Sequence, residues 1–155
     1  MRLLRLFTLP AFALLASTAM PTASASEPSP TANSCALVSL LPKQGLSAAT
    51  ERFKEVVAWL DDALAGQMVS AFQLLGDRKF AKADAFVLAE LPGYAAEHLL
   101  AVDVEDDGIV YVRMAYVRYQ GALRIAHFSI DDNYEKLLAR RSFNGTLQKL
   151  ECPLQ

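Results

Sequence analysis

Hydrophobic positions in the first half of the chain follow a helical period. From Ser47 onward, apolar residues recur at steps of three and four, and charged residues lie mostly off that stripe. The stripe predicts an amphipathic helix with one face for a core. A straight helix from 48 to 75 would be about 42 Å long, so Gly66 is predicted to mark a break and Gly76 the end. The stripe comprises Phe53, Val56, Val57, Leu60, Leu64, Met68, Phe72 and Leu75.

The second half of the chain has a period of two. Residues 101–105, 109–119 and 122–130 alternate apolar and polar positions, and the turn sequences EDDG (105–108) and QG (120–121) separate them. This predicts an antiparallel meander of three strands.

Three segments complete the predicted fold. Residues 80–91 fit a helix or a strand, with the helix favoured, and a short helix is expected around 94–99 after the turn at Pro92. Residues 134–151 fit either a hairpin around Asn144-Gly145 or a short helix from Tyr134 to Arg140. Helices first and strands after predict an α+β domain, with N-terminal amphipathic helices packed on a curved antiparallel sheet of three to five strands.

The first 25 residues have the layout of a secretory signal peptide. Arg2 and Arg5 precede an apolar run, and Ala23-Ser24-Ala25 forms a small-x-small cleavage signal. A membrane anchor is the alternative, but prolines interrupt the run, which is shorter than the roughly 20 residues that span a bilayer. We therefore expect a signal peptide at 1–25, a flexible segment at 26–46 and a single α+β domain at 47–155. The protein would be periplasmic or secreted, with no membrane span after cleavage.

Charge and cysteine content narrow the function classes. The 155 residues carry a net charge of −2, and loss of the two leader arginines makes it more negative. An acidic chain argues against nucleic-acid binding.

Cys35 and Cys152 are predicted to form a disulfide, because an even pair in an exported protein is usually bonded. The alternative is a reactive thiol with a histidine as its base.

The period of two sorts residues 110–130 onto two faces of the sheet. The predicted core face carries His127 opposite Met114, although a one-residue slip would move His127 to the other face. The core face comprises Val110, Val112, Met114, Tyr116, Leu123, Ile125 and His127. The other face comprises Tyr111, Arg113, Val117, Tyr119, Arg124, Phe128 and Ile130.

The second face interleaves arginines with aromatic and apolar groups. That mixture suits a dimer seam, a protein partner or an anionic ligand, and a solvated sheet face is the alternative. No catalytic residue is assigned, and His98 is given no role. We expect no metal and no cofactor, because no metal-ligand, phosphate-loop or nucleophile motif is visible and DVEDDG (103–108) departs from the calcium-loop pattern. The candidate binding residues are Tyr111, Arg113, Tyr119, Arg124, His127 and Phe128.

Two stretches, WLDDALAGQMVSAFQLLGDRKF and IAHFSIDDNYEKLL, with the meander between them, give the chain a family resemblance over about residues 50–138. The chain resembles the nuclear transport factor two-like superfamily, which implies a cone-shaped α+β fold with a helical layer in a curved sheet. That superfamily includes isomerases, dehydratases and non-catalytic binding or dimerising domains, so the resemblance leaves function open.

The leading functional hypothesis is a non-catalytic exported domain that binds a small ligand or a protein partner through its sheet, with a homodimer included among the partners. A small cofactorless enzyme of the isomerase or hydrolase type, with His127 as general base, is the first alternative. A structural accessory protein of the cell envelope is the second.

Overall fold

The computed structural model describes residues 29–138 and 147–153, which form an α+β domain. One antiparallel sheet has the strand order β4-β3-β2-β1-β5 and is not closed into a barrel. The elements are α1 (Pro30–Val57), α2 (Asp62–Gln73), β1 (Phe80–Leu91), β2 (Ala95–Val104), β3 (Gly108–Tyr119), β4 (Ala122–Asp131), α3 (Tyr134–Leu138) and β5 (Gln148–Lys149). This confirms the predicted fold class. The predicted signal peptide lies outside the described residues.

The first helix begins earlier than the sequence pattern indicated. The Ser29 hydroxyl accepts a hydrogen bond from the backbone N–H of Ala32 and so caps the N-terminus of α1. Leu37 and Leu41 are almost fully buried against the sheet. The prediction of a flexible segment over 26–46 is therefore wrong for residues 30–46, because a short apolar stripe there is covered by the rest of the domain.

Gly45 divides α1 into two halves. Its φ of 78° interrupts the helical backbone, a conformation that glycine adopts without steric cost. The second half runs back beside the first, and a hydrogen bond of 2.7 Å from Arg52 Nη2 to Asn33 Oδ1 joins the two halves. The start and the end of α1 consequently lie near each other.

The break in the predicted helical stripe lies between Val57 and Asp62 and not at Gly66. Asp61 accepts a hydrogen bond from the backbone N–H of Leu64 at 3.0 Å and starts a new helix, and Gly66 lies inside it. Gly76, with a φ of 71°, follows the end of α2 as predicted.

Residues 80–91 and 94–99 belong to strands, so the two helices favoured there are wrong. Within β1 and β2, Ala85 pairs with Leu100 and Phe86 pairs with Leu99. β2 is the central strand, and both of its faces are covered. Its burial is nearly continuous from Ala96 to Leu100, which hides the period of two in the sequence. The short helix starting at Tyr134 is present as α3, whereas the Asn144-Gly145 hairpin lies outside the described residues.

The sheet separates two hydrophobic clusters. The larger lies under α1 and α2, where the rings of Phe53 and Phe72 stack at 4.8 Å. The smaller lies on the opposite face, which we call the outer face, and there α3 packs Leu137 on Leu88 and Leu99. The outer face is therefore partly covered.

A β-bulge in β4 changes which residues face the core. Met114 pairs with Phe128 and Tyr116 pairs with Ile125, which leaves Ala126 as an extra residue on β4. The core-face prediction is confirmed for Val110, Val112, Met114, Tyr116 and Ile125, which are buried, and for Leu123, which is partly buried against the core. It is wrong for His127, which is exposed on the outer face. The bulge correspondingly turns Phe128 and Ile130 inward, onto the main core.

Cys35 and Cys152 form a disulfide with their Cα atoms 5.2 Å apart, as predicted. Because both cysteines are disulfide-bonded, neither has a free thiol, and the reactive-thiol alternative is wrong. The bond ties α1 to the C-terminal segment across 117 positions of sequence.

Within the described ranges, no helix has the length and apolar character that crossing a bilayer requires.

Candidate functional site

The six candidate binding residues do not form one surface. Tyr111 packs against Tyr134 at a ring distance of 5.4 Å, and Phe128 packs against Phe53 at 4.9 Å. These two side chains stabilise the fold. The other four form two pairs: Arg113 and His127 border a groove on the outer face, and Tyr119 and Arg124 flank the β3–β4 turn.

The β3–β4 turn brings Tyr119 and Arg124 together. Gln120 and Gly121 both have positive φ, 52° and 80°, which is the geometry of a two-residue hairpin turn. The turn pairs Arg124 with Val117, beside Tyr119. The Cζ atom of Arg124 lies 5.2 Å from the centroid of the Tyr119 ring.

A second aromatic ring reaches Arg124 from the helical layer. Trp59 lies in the turn between α1 and α2, and its ring centroid is 4.7 Å from Arg124 Cζ. Trp59 is 41% exposed and Tyr119 is 56% exposed, so both rings remain partly open to solvent. We call Trp59, Tyr119 and Arg124 the arginine–aromatic cluster.

The guanidinium of Arg124 has no polar partner in the described part of the chain. Its Nε atom is buried without a hydrogen bond, and the group makes no ion pair with residues 29–138 or 147–153. Aromatic faces attract the charge but leave the N–H donors of the guanidinium unused. A planar fork of unused donors is the geometry that binds a carboxylate or a phosphate with two parallel hydrogen bonds.

A hollow of about 510 Å³ adjoins the cluster. Trp59 forms part of its wall, with apolar surface from Val56 and Leu123. Its polar side includes Arg52, but that guanidinium already donates to Glu55 and to Asn33. The volume is within the range of small-ligand sites. The Glu55 carboxylate also lines the hollow but is paired with Arg52. Arg124 adjoins the hollow through the Trp59 ring and has no ion-pair partner among the described residues.

The outer-face groove, with a volume of about 490 Å³, lies between β3, β4 and α3. Arg113 borders it but is committed elsewhere, because its Nε donates to the buried Glu97 carboxylate and its Nη1 donates to Leu137 O at 2.9 Å. Lys136 lies 3.6 Å from Asp131. The hydrogen bond from the backbone N–H of Asn133 holds the pKa of Asp131 below its usual value. Charges in this groove are therefore matched, and Arg113 attaches α3 to the sheet.

A buried polar network lies on the other face of the sheet, under α1. Ser34 Oγ is 2.8 Å from His98 Nδ1 and 3.1 Å from the Tyr116 hydroxyl, and the three side chains are at most 2% exposed. Burial lowers the pKa of His98 to about 4, and burial also raises the pKa of Tyr116. His98 is therefore a neutral structural side chain that no substrate reaches. The sequence pattern held one signal for it, since His98 shares its strand parity with the core residues Leu100 and Val102.

Trp59, which is the only tryptophan of the chain, was not among the predicted binding residues. Its position after the last buried residue of α1, Val57, and before the Asp61 cap could have indicated an exposed turn.

Comparison with known proteins gives no relative for this chain. No family model, curated protein or solved structure matches it. Among the described residues, no three histidine, cysteine, aspartate or glutamate side chains are grouped so as to hold a metal ion. The geometry of the arginine–aromatic cluster is thus the basis for a functional proposal.

Proposed function

We propose that the protein is a non-catalytic, exported binding domain for a small anion with an apolar body. The observation that carries the proposal is the Arg124 guanidinium, which is stacked on Trp59 and Tyr119 and has no counter-ion among the described residues. A guanidinium packed between two aromatic rings has already lost part of its hydration in the folded protein. Less free energy is therefore needed to dehydrate it when an anion binds.

Two parts of the site recognise the two parts of such a ligand. The carboxylate or phosphate accepts hydrogen bonds from the Arg124 fork. The apolar body lies in the hollow against the Trp59 ring, Val56 and Leu123, where it removes apolar surface from water.

The disulfide supports the exported location in this proposal. Bonds such as Cys35–Cys152 form and persist in oxidising compartments and are rare in the cytosol. A periplasmic or secreted location agrees with the leader predicted at residues 1–25.

Trp59 provides a direct test, because the emission of the only tryptophan reports on the site itself. Decanoate and octyl phosphate serve as anionic probes, and decanol serves as the neutral control. We expect both anions to change Trp59 emission saturably and decanol to bind at least about tenfold more weakly, since the loss of a charge-assisted hydrogen bond costs roughly 1.5–3 kcal/mol.

Arg124→Ala and Arg78→Ala form a matched pair of variants. Arg78 is a partly exposed arginine that pairs with Asp107 at 3.3 Å in the β2–β3 turn, at the other end of β3 from the Arg124 turn. Arg124→Ala is expected to weaken decanoate binding by at least about tenfold, and Arg78→Ala is expected to leave it unchanged. Equal binding by both variants, or no saturable response of the unmodified protein, would exclude the proposed function.

A further inference from the structure

One end of the molecule carries a group of exposed aromatic and apolar side chains. The described residues expose seven large hydrophobic side chains, and four of them lie at this end. The β1–β2 turn and the β3–β4 turn are neighbours there, because Ala95 pairs with Val117 and the N–H of Arg118 donates to Tyr94 O at 2.7 Å. We call this group the apolar tip: Trp59, Leu91, Tyr94 and Tyr119.

The arginine–aromatic cluster is part of the apolar tip. Arg124 contacts both Trp59 and Tyr119, so the guanidinium lies within the exposed apolar group and not apart from it. Tyr94 is 70% exposed and Leu91 is 61% exposed, which places apolar surface in water at the end of a hairpin. Large apolar side chains grouped on a surface usually mark an interaction site.

The chain enters the described structure at the same end. Pro30, the first residue of α1, shares a small hollow with Tyr94 and Arg118. The start of α1 and the apolar tip therefore lie at the same end of the domain.

We infer that the apolar tip docks on a phospholipid bilayer and that Arg124 binds a lipid phosphate. The inference rests on the proposed function, because it identifies the anion with an apolar body as a membrane lipid. Tryptophan and tyrosine concentrate at the boundary between headgroups and acyl chains, where one part of the ring is apolar and the other is wet. A guanidinium beside such rings lies at the depth of the phosphates.

The charge distribution agrees with this orientation. The acidic β2–β3 turn, Glu105 to Asp107, lies at the opposite end of the sheet and would face away from the lipid. Two acidic residues lie near the apolar tip: the Asp61 carboxylate caps α2, and Glu90 lines the same small hollow as Arg118. Docking then depends on apolar contact and on single phosphate groups, so zwitterionic and anionic phospholipids both support it.

Vesicles of phosphatidylethanolamine and phosphatidylglycerol test the inference. We expect Trp59 emission to shift to shorter wavelength on vesicle addition and to be quenched by lipids brominated near the headgroup. The double variant Leu91→Ser/Tyr94→Ser should reduce vesicle partitioning by more than about tenfold, because two exposed apolar side chains no longer insert.

Ile109→Ser is the matched control, since Ile109 is 47% exposed next to the β2–β3 turn at the opposite end. An unchanged Trp59 spectrum with vesicles, or an equal loss for Ile109→Ser, would overturn the inference. Saturable binding of soluble decanoate without vesicle binding would also overturn the membrane inference, but it would leave the proposed function intact.

Discussion

Acidification is expected to destabilise the fold through one buried histidine. His98 is 2% exposed, and its Nδ1 atom is hydrogen-bonded to Ser34 Oγ. Burial lowers its pKa from 6.5 to about 4. In the unfolded chain His98 takes up a proton as the pH falls through 6.5, whereas in the folded protein it stays neutral until about pH 4.

The magnitude follows from the two pKa values. Each pKa unit corresponds to about 1.4 kcal/mol, so the free energy of unfolding should fall by about 3 kcal/mol between pH 7.5 and pH 4 on account of His98. The contribution of neutral His98 is fully present above pH 6.5 and is lost progressively as the pH falls toward 4. Other titrating groups add their own dependence, so the measurement has to isolate this side chain.

Urea unfolding at pH 7.5 and pH 4 of the unmodified protein and of His98→Gln isolates it. The destabilisation caused by the substitution should be about 3 kcal/mol smaller at pH 4 than at pH 7.5, because glutamine does not titrate. A destabilisation by His98→Gln that is the same at both pH values would refute the reasoning.

Two further substitutions test the packing. Phe128→Ala should destabilise the fold by about 3 kcal/mol in chemical denaturation, because Phe128 packs against Phe53 and Phe72, whereas the neighbouring His127→Ala should have little effect; a reversed order would contradict the bulge at Ala126. The double variant Cys35→Ser/Cys152→Ser should lower the free energy of unfolding by about 5 kcal/mol, since the unfolded chain regains the freedom of a long loop. A loss below about 1 kcal/mol in the same assay would show that the bond does not constrain the unfolded chain.

The part of the fold that could be predicted is the part governed by local pattern. β3 and β4 alternate regularly, and Gln120-Gly121 gives the turn between them, so the hairpin and most of its core face follow from the sequence alone. The disulfide could be predicted because the sequence has two cysteines and a predicted export signal.

The rest depends on contacts between distant residues. A single extra residue, Ala126, exchanges the faces of His127 and Phe128, and no local pattern specifies where a strand bulges. β2 is buried on both faces, which removes its alternation. Trp59, in the turn between two helices, contacts Arg124 on a strand 65 positions later. The candidate site therefore depends on tertiary packing, which no local sequence pattern specifies.

The most direct test of the central claim observes the Arg124 side chain itself. Side-chain NMR of the arginine Nε–H groups, recorded during a decanoate titration, distinguishes Arg124 from Arg78 and Arg113. The proposed site predicts a saturable shift of the Arg124 Nε–H resonance, while those of Arg78 and Arg113, which are already paired with Asp107 and Glu97, stay in place. An Arg124 resonance that does not move, or moves no more than the other two, would contradict an anion site at this residue.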